Sequence, residues 1–208
     1  MSEWWTYSLS DFLMFSARTY YRQFELLNRD WWPLHLLALA LGVALPACMR
    51  RTHGARIGFA LLAVAWLWTG WAYHLQRYAD INTGAPYFAA GFLVQAAMLA
   101  WMTLRPQAQV DRVDRIALLL FAVALAYPVL APLNGSALAQ AEVFSFAPDP
   151  TAVATLGALL AWRAPWPLWV MPLAWCAASS ATLHELHAAQ AWLPAALALL
   201  ALGAKLRR

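Results

Sequence analysis

The amino-acid sequence predicts an all-α fold: a polytopic transmembrane bundle of about seven helices, with an amphipathic interfacial helix at its N-terminus. Three observations predict it. The 208 residues are 63% hydrophobic and 12% charged, against roughly 45–50% apolar and about 25% charged in soluble domains. Water would not tolerate so apolar an exterior, but lipid tails do. The apolar residues also fall into seven separate runs, and the basic residues gather at the ends of those runs.

The N-terminal segment, residues 1–30, reads as the interfacial element. Ser8 followed by Asp11 is a capping-box start. Arg18, Arg22, Glu25 and Arg29 recur at helical spacing beside an apolar stripe of Tyr20, Phe24, Leu27 and Trp31. Such a helix lies flat, with its rings toward lipid or the bundle. It either packs over the helix ends or forms a lid over an outer cavity.

Residues 31–208 form the transmembrane domain. Its segments are Trp31–Met49, Ile57–Tyr73, Tyr87–Leu104, Ile116–Leu133, Thr151–Trp162, Pro165–Leu183 and Ala191–Leu206. A spanning helix needs roughly 20 residues. The first four and the sixth comply, the fifth is short and the seventh somewhat short. Arg163, Ala164 and Pro165 either join segments five and six in a tight turn or leave the fifth as a half-helix. None of the runs has the period-2 alternation of a barrel strand. The 13 Trp residues suit the boundary between hydrocarbon and headgroups, except mid-segment rings such as Trp175, which read as core.

Charge sets the orientation. Of 14 basic residues, ten lie on one side of the alternating loops, among them Arg50, Arg51, Arg56, Arg105, Arg112, Arg163 and Lys205. Only Arg18, Arg22, Arg29 and Arg77 lie opposite. The expected location is a bacterial inner membrane, with the N-terminus periplasmic and the C-terminus cytoplasmic. The first 30 residues lack the basic start and apolar run of a signal peptide. No basic face with interleaved aromatics points to nucleic acid. Cys48 and Cys176 make no disulfide framework and read as packing residues.

Few residues carry chemistry. His184 and His187, in the run His184-Glu185-Leu186-His187, are spaced to share one helical face, a candidate metal pair. Gln95 sits near the middle of segment three. A buried amide needs a partner, and Thr69, Tyr73 and Tyr127 are the candidates. Segment cores hold no Asp, Glu, Lys or Arg, which argues against an ion-driven carrier with a midplane carboxylate. The single lysine, Lys205, is too shallow for a retinal Schiff base. A haem protein would need paired histidines, and only His35 with His74 offers them. There is no Gly-x-Ser-x-Gly, P-loop or dinucleotide fingerprint, so no catalytic set is assigned.

The combination Asn28…Trp32-Pro33, Tyr73-His74-Leu75, Ile81-Asn82, Tyr87-Phe88, Phe92 and Gln95 is distinctive. It is followed by Tyr127-Pro128, the run from Phe146 to Thr151, Thr155, Gly157, Pro172 and Trp175. From about Asn28 to Ala204 the chain resembles an uncharacterised bacterial integral-membrane family, a domain of unknown function sometimes labelled permease. The resemblance implies the fold and no substrate. Relatives in that family tend to carry Cys where this chain has Asp149 and His near Ser136. A thiol–imidazole metal site would therefore be absent here, and a carboxylate would suit a harder ion.

His74, Asn82, Asp149 and Thr151 all map to the outer end, with Gln95 below them. The expected function is a permease-like or small-solute- or metal-binding protein with a periplasm-facing pocket. Tyr73, His74, Asn82, Gln95 and Asp149 would line that pocket. The alternative is a structural or assembly subunit of a larger membrane complex. The partners to expect are the lipid bilayer, a small solute or metal ion, and a membrane-protein partner or second copy. No cofactor is assigned.

Overall fold

Ser16 starts the first helix. In the computed structural model, which describes residues 15–105 and 114–207, its hydroxyl accepts the Thr19 N–H at 3.2 Å, satisfying one of the free donors of a helix N-terminus. Helix α1 (Ala17–Asp30) buries Tyr20, Phe24 and Leu27 and turns Arg18, Arg22 and Arg29 outward. The expected stripe is therefore present, and it faces protein. The capping box anticipated at Ser8 and Asp11 lies outside the described residues.

Helix α2 (Leu34–Cys48) is bent by 98° from α1, so α1 lies across the bundle rather than along it. Helix α3 (Gly54–Trp68) runs on without interruption into a π-helical turn, Thr69–Leu75, and then a 3-10 turn, Tyr78–Asp80. The wider π turn shifts the register of the side chains after Thr69. Helix α4 (Ala85–Thr103) packs against both parts of α3. Gly70 permits this approach: a Cβ there would lie 3.1 Å from that of Phe92.

Asp114 caps α5 (Arg115–Ala126), accepting the Ile116 and Ala117 N–H groups at 2.7 and 3.0 Å. A 3-10 turn, Tyr127–Val129, leads to the single-turn α6 (Leu130–Leu133). The last helices are α7 (Pro148–Ala161), α8 (Val170–Glu185) and α9 (Leu193–Leu206).

Helix α7 is the axis of the bundle. All its residues are buried, against α3, α5, α8 and α9. Alanine, threonine and Gly157 line it because small side chains let neighbouring backbones come close. A Cβ on Gly157 would stand 3.1 Å from the Ala117 carbonyl oxygen. Segment five is thus a regular helix of 14 residues, about 21 Å long, short for a full span as its sequence suggested. The buried stretch 141–147 extends it at its N-terminus. A tight turn at Arg163, with φ +50°, leads to the 3-10 turn Trp166–Trp169 and α8.

Three helical stretches, Gly54–Asp80, Ala85–Thr103 and Arg115–Leu133, are long and apolar enough to cross a membrane, and the bent α1–α2 pair makes a fourth if taken as one span. Helix α9 is apolar but shorter. The chain is therefore an all-helical bundle with three to four candidate spans among its described residues. Segments five to seven fall short individually because α7, α8 and α9 have 14, 16 and 14 residues.

The bundle has two distinct ends. At the first, Asn28 donates to the Ala139 and Ala141 carbonyls at 2.9 and 2.8 Å. There Arg77 pairs with Asp30. At the second, the Lys205 ammonium donates to the Ala164 carbonyl at 2.8 Å and lies 5.5 Å over both Trp166 and Trp169. Trp162 packs on Phe59 there, next to the turn that carries Arg50, Arg51 and Arg56. Among the described residues, Arg50, Arg51, Arg56, Arg163 and Lys205 lie on or beside this second end, and Arg77 lies at the first.

Candidate functional site

The first end is built around hydroxyl groups that tie the buried loop 141–147 into the helices. The Thr151 hydroxyl donates to the Ala147 carbonyl at 2.7 Å and accepts the Ser145 N–H at 2.9 Å. Thr155 donates to the Thr151 carbonyl and accepts the Trp66 indole N–H, both at 2.7 Å. The Thr69 hydroxyl sits 2.8 Å from the carbonyls of Ala65 and Ser145. Ser145 itself has φ +68°, a left-handed conformation uncommon for a non-glycine residue. Side-chain partners for its amide and its carbonyl hold it there.

Two carboxylates are buried under α1. Asp149 lies in the first turn of α7, where backbone N–H groups favour an anion. It is 1% exposed. Its oxygens accept the Trp175 indole N–H and the Ser179 hydroxyl, each at 2.7 Å. Glu142, on the loop, is 8% exposed, and its Oε2 has no hydrogen-bond partner among the described residues. Burial first, and the Asp149 charge second, push the Glu142 carboxyl well above its ordinary range. The Tyr21 phenol is pushed up to about 12, by burial and then by the Glu142 charge, against a hydrogen bond from Gln190 that lowers it.

This has a sign. A carboxyl with a raised folded-state pKa binds its proton more tightly folded than unfolded, so stability is greatest in acid and falls as pH rises past the unfolded value. Wild-type protein in detergent is therefore expected to lose stability on going from about pH 4.5 toward neutrality, and Glu142→Gln is expected to flatten that loss. Parallel thermal unfolding series of the two proteins measure it. Equal slopes would rule out Glu142 as the source.

Beside Glu142 is a cavity of about 20 Å³, lined among others by Tyr21, Tyr127, Ser136, Gln140 and Gln190. That is room for one water-sized occupant. The Tyr127 hydroxyl is buried and unpartnered.

Next to Asp149, His74 is fully buried and neither ring nitrogen has a partner. Its ring lies 4.4 Å from Phe92, 4.9 Å from Trp175 and 5.1 Å from Tyr73. Tyr73 stacks under α1 on Phe24 at 4.9 Å. An unpaired imidazole among rings costs free energy that a carbon ring would not. His74→Phe is therefore expected to fold with stability unchanged or raised by about 1 kcal/mol. Calorimetry decides it, and a loss above about 2 kcal/mol would mean that His74 holds a bond this geometry does not contain.

The structure thus brings together Tyr73, His74 and Asp149 of the expected residues. Asn82 lies in the turn before α4, where its Oδ1 accepts the Gly84 N–H at 2.8 Å. Gln95 departs from expectation. Its amide donates to the Leu168 carbonyl at 3.0 Å, not to Thr69, Tyr73 or Tyr127. The break before α8 exposes that backbone acceptor and α4 faces it. His184 and His187 are both exposed, with His184 in the last turn of α8 and His187 beyond it at φ +54°. They do not continue one helical face. Among the described residues no three His, Cys, Asp or Glu side chains group to hold a metal. His35 pairs through Nε2 with Asn28 at 2.9 Å and stacks on Phe146.

A family model covers residues 17–208, from the start of α1 onward. The chain belongs to DUF6064, a family of unknown function. Among curated proteins and among solved structures nothing matches. Membership agrees with the sequence resemblance to an uncharacterised domain. In this DUF6064 chain the residues that sequence reasoning missed are Glu142, Ser179 and the polar role of Trp175. One signal was present: Val143, Phe144 and Phe146 give the loop an apolar content that a solvated linker would not have.

Proposed function

We propose that this chain is a seven-pass inner-membrane protein, with the α1 end in the periplasm and the C-terminus in the cytoplasm. Its function is permease-like: binding of a small polar solute or ion beneath α1. The concentration of arginine at the second end supports the orientation, since basic residues are retained on the cytoplasmic side. The binding reading rests on one observation, the unpaired Glu142 oxygen buried beside Asp149. A buried carboxylate without a partner is costly, and a protein keeps such a group where something meets it. His74 meets Asp149 through the shared Trp175 ring, with Tyr73 packed against His74.

A second reading, an assembly subunit of a membrane complex, is favoured by the small size of the cavity and by the bond that ties Gln95 to backbone. Native mass spectrometry from mild detergent separates the two. A small retained mass that disappears in Asp149→Asn supports binding. A stoichiometric protein partner with no small mass supports the subunit. Reporter fusions at Arg51 and His187 test the orientation, and a shared compartment for both would refute it.

A further inference from the structure

The groups around the Glu142 cavity select a class of ligand. No ion pair among the described residues involves Glu142. Three neighbouring amide nitrogens are committed elsewhere. That of Asn134 donates to Gln190 at 2.9 Å, that of Gln190 to the Tyr21 hydroxyl at 2.8 Å, and that of Gln140 to Glu25 at 3.3 Å. Asn134 and Gln140 therefore have carbonyl oxygens left to offer an occupant. Ser136 and Tyr127 add hydroxyl oxygens, and the Tyr127 hydroxyl has no other partner. The cavity thus gathers several acceptor oxygens around one carboxylate oxygen that lacks a partner among the described residues.

Resting on the binding function above, we propose that this cavity is a site for one small hard monovalent cation, of which sodium is the example. Glu142 is its charged ligand, and neutral oxygens of Tyr127, Ser136, Asn134 and Gln140 complete its shell. Three features narrow the class. The volume of about 20 Å³ admits a bare ion or a water and excludes an organic solute. All the donors are oxygen, which suits hard cations rather than copper, zinc or iron in thiolate or imidazole sites. The cation takes the place of the Glu142 proton, so one carboxylate balances one positive charge, because Asp149 is already held by Trp175 and Ser179 and contributes only its field.

The test is thermal unfolding of the full chain in detergent, titrated with sodium chloride against choline chloride at matched ionic strength. Sodium is expected to raise the midpoint saturably by about 5 °C, and choline is not. Glu142→Gln should abolish the rise. Tyr127→Phe, which removes one neutral ligand, should shift the half-saturating sodium concentration upward about tenfold and keeps the test decisive should Glu142→Gln not fold. Sodium-23 line broadening by the wild type, absent in Glu142→Gln, reports the same site directly. Equal responses to sodium and choline, or an unaltered sodium response in both variants, overturn the proposal and leave an ordered water in the cavity. If sodium fails while native mass spectrometry still finds an Asp149-dependent small mass, the binding function stands with another ligand. If both fail, both readings fall.

Discussion

Asp149→Ala is expected to destabilise the protein by about 2–4 kcal/mol, among the largest losses any single side chain here can produce. The substitution strands two buried donors, the Trp175 indole N–H and the Ser179 hydroxyl, whose only acceptor among the described residues is the carboxylate. Relief from burying a charge offsets part of the loss. It does not offset all of it, because hydrogen bonds to a charged group are worth about 1.5–3 kcal/mol each. Two controls sharpen the test. Asp149→Asn keeps one acceptor oxygen and should lose less. Adding Ser179→Ala to Asp149→Ala removes one stranded donor and should recover part of the deficit, since neighbouring sites are not additive. Chemical or thermal unfolding in detergent reads all three. Stability of Asp149→Ala within about 0.5 kcal/mol of the wild type would show that the buried carboxylate contributes nothing net.

Gly54→Ala is expected to be at least as damaging, by a steric route. The turn between α2 and α3 is drawn tight by Arg51 N–H to the Cys48 carbonyl at 3.0 Å and Gly54 N–H to the Arg51 carbonyl at 2.9 Å. A Cβ on Gly54 would stand 1.6 Å from that Cys48 oxygen. The obstacle is backbone, so no side-chain rotation relieves it, and the turn must open. A loss of about 3 kcal/mol or more, or failure to recover folded protein, is the expected result. Gly203→Ala is the contrast. Nothing lies within 4 Å of its Cβ position in α9, and alanine is the better helix former, so a gain of about 0.5–1 kcal/mol is expected. Expression and unfolding midpoints of the pair measure the difference. Equal behaviour would mean that the α2–α3 turn is not built as described.

Much of the helical architecture was legible because it depends on local patterning. The stripe of Tyr20, Phe24 and Leu27 has helical spacing, and it is buried as that spacing requires. The four apolar runs from Trp31 to Leu133 match α2 to α6 within a few residues. Less legible were features that depend on partners distant in the chain. Segment five is short, as its sequence suggested, but that α7 is buried along its whole length could not be read from its composition. Gln95 was matched to side chains, but its partner is a backbone carbonyl freed by the 3-10 turn before α8. Glu142 was overlooked because it sits in a linker between apolar runs, and burial of a linker depends on what folds over it. Asp149, Tyr73 and His74 were singled out one by one, but that a single indole, Trp175, touches both Asp149 and His74 is information only the tertiary structure holds.

Helix α7 also bears on how the protein is made. A segment bearing Pro148, Asp149, Pro150, Thr151 and Thr155 gains little by dissolving alone in hydrocarbon, and its partners α8 and α9 emerge from the ribosome after it. On the seven-pass reading proposed above, it waits for them, held near the insertion machinery or loosely against α3 and α5, until the later hairpin closes around it. Chains truncated after Trp162 should accordingly be degraded or remain bound to the insertase, while full-length chains are released.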